Sequence, residues 1–321
     1  MTLGVVIPCY RQERFLPRTL AALERALAPH AWTGVLVLAA GGSDVPAVGP
    51  HWTVLRGADA RPLTPGAARN RGLAHAREPW VLFVDADVEI DPAWARRALE
   101  QVAAAEPALA GVWGRLEEWF VDGAHERPGR RDLYGVGEGD HDSPYLATLA
   151  LYRAAALRAV GGYEPRLSSE EDFELGWRLR RHGFRLRCIA PLAGRHWSAP
   201  RPSWAELGRR WRTGLCFGQG QVLRLYLGRP GLAAHLRRQA LYFGTLALWL
   251  AAIPAWALGG GSGLALWALA PLAVLAVMSA RKRSAALALH SIATWSVNAA
   301  GMIVGFVRGG VPAPAATEGS W

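Results

Sequence analysis

Residues 241–258 (LYFGTLALWLAAIPAWAL) and 264–280 (LALWALAPLAVLAVMSA) contain no charged side chain. Where water is excluded, such a run must satisfy its own backbone N–H and C=O groups, and a helix is the simplest way to do so. A membrane-spanning helix takes ~20 apolar residues, with ~17 as the lower bound. Both runs sit near that bound, and GGGSG (259–263) between them reads as a turn. The pair therefore reads as a short helical hairpin, with a buried hairpin of a soluble protein as the alternative. A further stretch, 284–307, is apolar but holds His290 and Asn298. It is either a third span or a helix lying against the first two.

Charge placement favours the membrane. Arg237 and Arg238 precede the hairpin, Arg281-Lys282-Arg283 follow it, and its tip is uncharged. Basic flanks face the cytoplasm, so the large N-terminal region is expected on the cytoplasmic side of the inner membrane. Formal net charge is +10, almost all of it arginine, with Lys282 the only lysine. Such a balance suits nucleic acid, anionic lipid or phosphate-bearing ligands. Trp204, Leu207, Trp211 and Leu215 recur at helical spacing with Arg209, Arg210 and Arg212 between them, a pattern suited to a headgroup layer. Because the arginines gather beside the apolar runs, nucleic acid is not the expected partner. Cys9, Cys188 and Cys216 form no metal-binding spacing and fit a reducing compartment. The first residues, MTLGVVIPCY, do not read as a signal peptide.

The first two hundred residues read differently. LGVVIP, GVLVLAA and PWVLFVDAD are strand-length apolar runs, separated by the helical patterns RFLPRTLAALERALA and GAARNRGLAHA. Asp91-Pro92 then opens another helix, aspartate as N-cap and proline at the first turn. Continuous apolar strands alternating with helices predict an α/β fold with a mostly parallel sheet covered on both faces. The organisation expected is an α/β domain over 1–200, basic interfacial helices over 201–239, a membrane region over 240–310 and a flexible tail over 311–321.

Ligands of open parallel sheets bind beyond the C-terminal ends of strands. The run VLFV delivers Asp85 and Asp87 to such an end. Carboxylates there suit Mg²⁺, which takes one or two of them plus ligand phosphates; helix capping does not explain the pair, since Asp91 already serves it. Glu170-Glu171-Asp172 forms a second acidic group. Ser168 or Ser169 could cap a helix with these acids in its first turn, Ser168 and Glu171 matching a capping box, and Gly183 would end it. Arg11 and Arg69 fall near strand ends or helix starts, where arginine can meet phosphate. His196 stands alone.

Taken in order, VVIPCYRQERFLPRTLAAL, PGAARNRGLAHAREPWVLFVDADVEIDP and LYRAAALRAVGGYEPRLSSEEDFELGWRLRRHGFRL resemble three blocks of the inverting nucleotide-sugar glycosyltransferases of family 2. The resemblance covers roughly residues 3–200. It implies a GT-A fold (Rossmann-like), a nucleotide-sugar donor, a divalent cation (Mg²⁺ or Mn²⁺), and, with the apolar tail, a lipid-linked or cell-envelope glycan acceptor. It implies that Pro8, Tyr10, Arg11, Glu13 and Arg69 border the nucleotide sugar and that Asp85 approaches the ribose. Asp87 and His196 would contact the metal, and Glu171 and Asp172 would form the catalytic pair, with Asp172 the general base. One departure stands out: LAAGGSD places Ala39 and Ala40 where many members carry a base-contacting acid, and Asp44 is the nearest substitute. A non-catalytic, nucleotide-binding scaffold of a glycan assembly or export complex is the alternative reading.

Overall fold

The computed structural model describes residues 2–40, 45–57, 62–199 and 204–312. Their contacts divide into two units. The first takes in the chain up to Leu167, the stretch from Glu171 to residue 199, and residues 311–312. The second takes in Ser168–Glu170 and residues 204–310.

In the first unit the expected alternation is present. Strands β1 (Leu3–Cys9), β2 (Trp32–Leu38), β3 (Trp52–Arg56) and β4 (Trp80–Val84) pair in parallel in the order β3-β2-β1-β4. Helix α1 (Leu16–Leu27) lies between β1 and β2, and α2 (Pro65–His75) between β3 and β4. Leu16, Leu20, Leu23 and Leu27 recur at helical spacing and form the buried face of α1. A fully buried leucine is worth about 1.5–3 kcal/mol, so this stripe fixes which way the helix faces. Every residue of β4 is buried, as a strand covered on both faces requires.

The chain then makes β5 (Val88–Ile90), α3 (Pro92–Ala103), β6 (Leu109–Trp113), β7 (Leu116–Asp122), β8 (His125–Pro128), β9 (His141–Asp142) and β10 (Leu149–Arg153). Asp91 caps α3 as expected, accepting from the Ala93 N–H at 2.7 Å. Helices α4 (Ala154–Ala159) and α5 (Glu171–Arg181) precede β11 (Arg185–Cys188) and β12 (Gly194–Ser198). Among the described residues the main sheet has eight strands, β3-β2-β1-β4-β10-β6-β11-β9. β10 is antiparallel to both β4 and β6, so its beginning, at Thr148-Leu149, lies beside the end of β4. A second sheet, β5-β12-β7-β8, sets His196 opposite Val88 on one side and Glu118 on the other.

The start of α5 differs from the expected serine cap. The Ser169 hydroxyl donates to the Leu215 carbonyl at 3.0 Å, and the residue before the helix is Glu170, with φ of 70°. The other end is as expected. Gly183, with φ of 83°, follows the helix, and the Gly183 and Phe184 N–H groups return to the Arg180 and Leu179 carbonyls, a Schellman closure.

The second unit is helical: α6 (Trp204–Arg212), α7 (Gly218–Leu225), α8 (Leu232–Arg238), α9 (Ala240–Leu250), α10 (Ala252–Lys282) and α11 (Ala285–Arg308). The turn expected at 259–263 is a break inside α10 at Gly260, whose φ of 55° and ψ of −135° are not helical. Beyond it the chain folds back. Trp267 donates to the Leu248 carbonyl at 2.8 Å, its ring lies 5.7 Å from that of Trp249, and a Cβ at Gly263 would strike the Ala255 carbonyl. Ala240–Lys282 and Ala285–Arg308 are long and apolar enough to cross a membrane, and the most apolar window of the former has no buried residue. α11 instead gives one face to α7. Gly220 meets the Met302 backbone, Gly301 meets Cys216 and Gly305 meets Phe217, each too closely to admit a side chain. Of the stripe predicted on α6, Leu207 turns inward while Trp204 and Trp211 are exposed.

A comparable close approach presses α2 onto β1, where a Cβ at Gly72 would run into the Val6 side chain. Gly72→Ala is expected to destabilise the first unit by about 1–3 kcal/mol, the usual cost of overpacking. In a Val6→Ala background that cost should fall, and a double-mutant cycle on denaturation midpoints measures the difference.

Candidate active site

The end of β4 is fastened from three sides. The Asp85 N–H donates to the Thr148 carbonyl at 2.9 Å, and the Asp87 carbonyl accepts from the Trp197 N–H at 2.8 Å. Between them Ala86 enters the core, and its carbonyl accepts from the Thr19 hydroxyl at 2.9 Å. The Val88 N–H returns to the Asp85 carbonyl at 3.1 Å, so the two aspartates sit in a turn between β4 and β5, on either side of the buried Ala86.

Asp87 is 5% exposed. One carboxylate oxygen, Oδ2, accepts from Gln12 Nε2 and lies 3.5 Å from His196 Nε2. The other, Oδ1, is buried and has no hydrogen-bond partner among the described residues. Burial pushes this carboxyl up to about 6; His196 and Gln12 pull it down and Asp85 adds to the rise. The other nitrogen of His196, Nδ1, is 3.0 Å from Ser198 Oγ, so the ring is fixed from both sides.

Asp85 leads to the second acidic group through Arg69. Thr64 caps α2, accepting from the Ala67 N–H and donating to the Pro165 carbonyl. One turn on, Arg69 is buried. Its Nη2 donates to Asp85 Oδ1 at 2.9 Å and its Nη1 to Glu171 Oε1 at 2.7 Å, with Asp172 Oδ1 at 3.7 Å from Nη1. The guanidinium also stands 5.3 Å from the centre of the Tyr163 ring. Burial works to lower its pKa, but Asp172, Asp85, Tyr163 and Glu171 hold it well above the ordinary arginine value. One guanidinium faces three carboxyls, so the cluster has an excess of acid.

Tyr134 stands near both acidic groups. Its hydroxyl is bonded to Thr148 Oγ1. Burial raises its pKa, and Asp85, Asp172 and Asp87 all raise it further. A single phenol feels all three carboxyls because they share one region of the first unit. Tyr134 and Gln12 were not singled out in the sequence; neither carries a local pattern, and each acquires its place only through distant partners.

The residues after β1 approach from the same rim. Pro8 is within β1. Tyr10 is half-buried against the core, and the Arg11 guanidinium lies 5.2 Å from its ring centre. Arg11 has φ of 57°, and the Glu13 carbonyl accepts from the Leu16 N–H at the head of α1. Gln12, between them, is the residue that reaches Asp87. Arg69 does not stand open toward a ligand phosphate as its position near a helix start suggested; its guanidinium joins carboxyls. Ala39 is a buried core residue, and Asp44 lies outside the described residues.

Residues 49–161 match the family model described as glycosyl transferase family 2. The pre-mycofactocin glycosyltransferase of Mycobacterium tuberculosis (strain CDC 1551 / Oshkosh) is 32% identical over 139 residues, covering 40% of this chain. The same match is found in strain ATCC 25618 / H37Rv. The chain spans 29% of the length of these curated relatives. Among solved structures, the mannosyltransferase PcManGT from Pyrobaculum calidifontis, in complex with GDP-Man and Mn²⁺, superposes with a TM-score of 0.54 at 17% identity. That match covers 95% of this chain and 86% of the other. At that identity the likeness is one of fold, the GT-A fold expected from the sequence.

Arg69→Met would leave Asp85 and Glu171 without their shared cation. A loss of about 3–5 kcal/mol is expected, as for other buried ion pairs broken on one side. Arg69→Lys should lose less but not nothing, because a single ammonium cannot present the planar fork that serves two carboxylates. Chemical denaturation of both variants measures the two losses.

Proposed function

We propose that the protein is a membrane-associated, inverting glycosyltransferase that moves a sugar from a nucleotide-sugar donor to a hydroxyl of a lipid-linked or cell-envelope glycan. The observation that carries this reading is the buried guanidinium of Arg69, bonded to Asp85 on one side and to Glu171, beside Asp172, on the other. It brings carboxyls from the end of β4 and from the first turn of α5 to one place. An inverting displacement needs that pairing: a leaving group held on one side of the sugar and a base on the other.

In this mechanism the acceptor hydroxyl attacks the anomeric carbon. The bond from that carbon to the diphosphate oxygen breaks, and its electron pair leaves with the nucleoside diphosphate. Asp172 takes the proton of the attacking hydroxyl. Arg69 holds Glu171 and keeps the helix start in register with β4. Pro8, Tyr10, Arg11, Glu13 and Asp85 border the nucleotide.

Asp87 and His196 suit a divalent cation. The unpartnered, buried Asp87 Oδ1 and the imidazole nitrogen beside Oδ2 are donors of the right chemistry. Among the described residues no group of three or more His, Cys, Asp or Glu forms a closed metal site; an Mg²⁺ ion held by these two side chains would take its remaining ligands from phosphate and water. When bound, such an ion would stabilise the charge gathering on the departing diphosphate. The GDP-Man and Mn²⁺ of PcManGT support a nucleotide-sugar donor and a cation of this kind. The uncharged hairpin between Arg237-Arg238 and Arg281–Arg283 supports insertion in the inner membrane from the cytoplasmic side, which places lipid-linked acceptors within reach. The buried Ala39 in place of a base-contacting acid leaves the nucleotide open, and with it the rival reading as a scaffold that binds a nucleotide without turning it over.

Purified membranes incubated with lipid extract and a panel of radiolabelled nucleotide sugars test the proposal. Label from one donor should enter the organic phase or a glycan fraction; no transfer from any donor leaves the scaffold reading. Asp172→Asn is expected to retain donor binding and lose about 100-fold or more in turnover, and near-normal transfer would remove it as the base. Asp87→Ala should abolish the dependence of nucleotide binding on Mn²⁺ or Mg²⁺ in calorimetric titrations with and without the metal.

A further inference from the structure

Chain path alone fixes which parts of the helical unit share a side of a membrane. The legs of the hairpin, divided at Gly260, fold back on each other: Trp267 donates to the Leu248 carbonyl, and Gly263 closes on the Ala255 carbonyl. Its two feet, at Ala240 and at Arg281-Lys282-Arg283, therefore open on one side. Residues 226–239 are all that joins α7 to α9. They hold Arg229, Arg237 and Arg238 and fall short of the ~17 apolar residues that a crossing takes. Hence α7 lies on the side of the feet.

Helix α11 starts beside the second foot and returns to α7. Gly301 lies on Cys216, Met302 on Gly220 and Gly305 on Phe217, backbone against backbone. Arg224 of α7 donates through Nη1 to the Phe306 carbonyl at 3.0 Å and bonds the Val307 carbonyl as well, so a side chain of α7 closes the C-terminus of α11. The Arg308 guanidinium is 5.7 Å from the centre of the Phe217 ring. Near the other end, the His290 ring lies 5.0 Å from that of Trp204 in α6. A spanning helix delivers its far end to the opposite side. The far end of α11 is at α7, on the side it left.

Its side chains divide accordingly. Ala288, Asn298, Ala299, Gly301 and Gly305 are buried, and Asn298 donates to the Thr294 carbonyl at 2.8 Å. Leu289, Ile303, Phe306 and Val307 are exposed. The large apolar residues thus face outward and the small or polar ones inward, the reverse of a helix in water. Lipid is the occupant that suits the outer face. Trp249 of the hairpin donates to Ser296 Oγ at 2.9 Å, so α11 adjoins the uncovered apolar surface of the hairpin. Arg281-Lys282-Arg283 precede α11 and Arg308 ends it, charge that complements anionic headgroups.

We propose that α11 is not a further span but an in-plane helix, lying in the leaflet next to the hairpin feet with its outer face in lipid. The inference rests on the reading of the hairpin as inserted in a membrane. The chain beyond Arg308 then emerges on the same side as Arg281.

Single cysteines in the full chain test this, in spheroplasts and in inverted membrane vesicles, with a maleimide that does not cross lipid. Arg281→Cys marks the second foot and Pro312→Cys the chain beyond α11, both at exposed positions. The native cysteines are buried, and the unaltered chain serves as control. Both sites should label in one preparation and lose their label in the other. Label on opposite faces makes α11 a span and overturns the proposal. Nitroxides on Leu289→Cys, Ile303→Cys and Val307→Cys probe the outer face. All three should collide with oxygen more than with a water-soluble nickel chelate, and at one common depth. A depth that peaks between the ends of the helix overturns the proposal, as does preference for the chelate at all three. If the unaltered chain leaves the membrane fraction in alkaline carbonate, the membrane reading fails and takes this inference with it. Opposite-face labelling in a chain that stays with the membrane sinks the inference alone.

Discussion

A buried arginine among three carboxyls governs the α/β unit. Arg69 comes from α2, Asp85 from the end of β4, and Glu171 and Asp172 from the first turn of α5. A charge in that setting is tolerable only when paired, and the pairing works only if all three elements hold their places. The close approach of α2 to β1 at Gly72, the Thr64 cap and the fastening of Asp85 to Thr148 serve that end. The strand end, the helix start and the guanidinium are therefore one cooperative assembly, and loss of any one leaves the others with uncompensated charge.

Much of the frame was legible in the sequence because its signals are local. β1, β2 and β4 are unbroken apolar runs, α1 carries its leucines at helical spacing, and Asp91-Pro92 starts α3 as written. The acids Asp85, Asp87, Glu171 and Asp172 stood out by position and by family resemblance. Other features depend on partners far along the chain. Two strands of the second sheet, β5 and β8, have only three and four residues. Gln12 gains its place only through Asp87, and Tyr134 only through Thr148. Ser168 and Ser169 fit a capping pattern, yet the residue before α5 is Glu170, with φ of 70°, and the Ser169 hydroxyl donates to the distant Leu215 carbonyl.

The helical unit shows two ways of treating apolar surface. The hairpin broken at Gly260 leaves its apolar side chains uncovered. α11 is packed against α7 through Gly220, Gly301 and Gly305, with backbone on backbone. Close backbone contact of this kind suits surroundings where water gives helices little reason to associate. α7 nevertheless carries Gln219 and Gln221, so α11 has one neighbour that is far from oily.

The reversal of β10 has a further consequence. In a wholly parallel sheet, chain arrives at the ligand-facing rim only by leaving a strand. Here it also arrives by entering one, since Thr148 lies beside Asp85 where β4 ends. The rim is thus furnished by two classes of connection, those fixed to the pleat of β1 and β4 and those that merely lead into β10. A lineage could lengthen or shorten the second class and reshape one side of the rim while the other side kept its register.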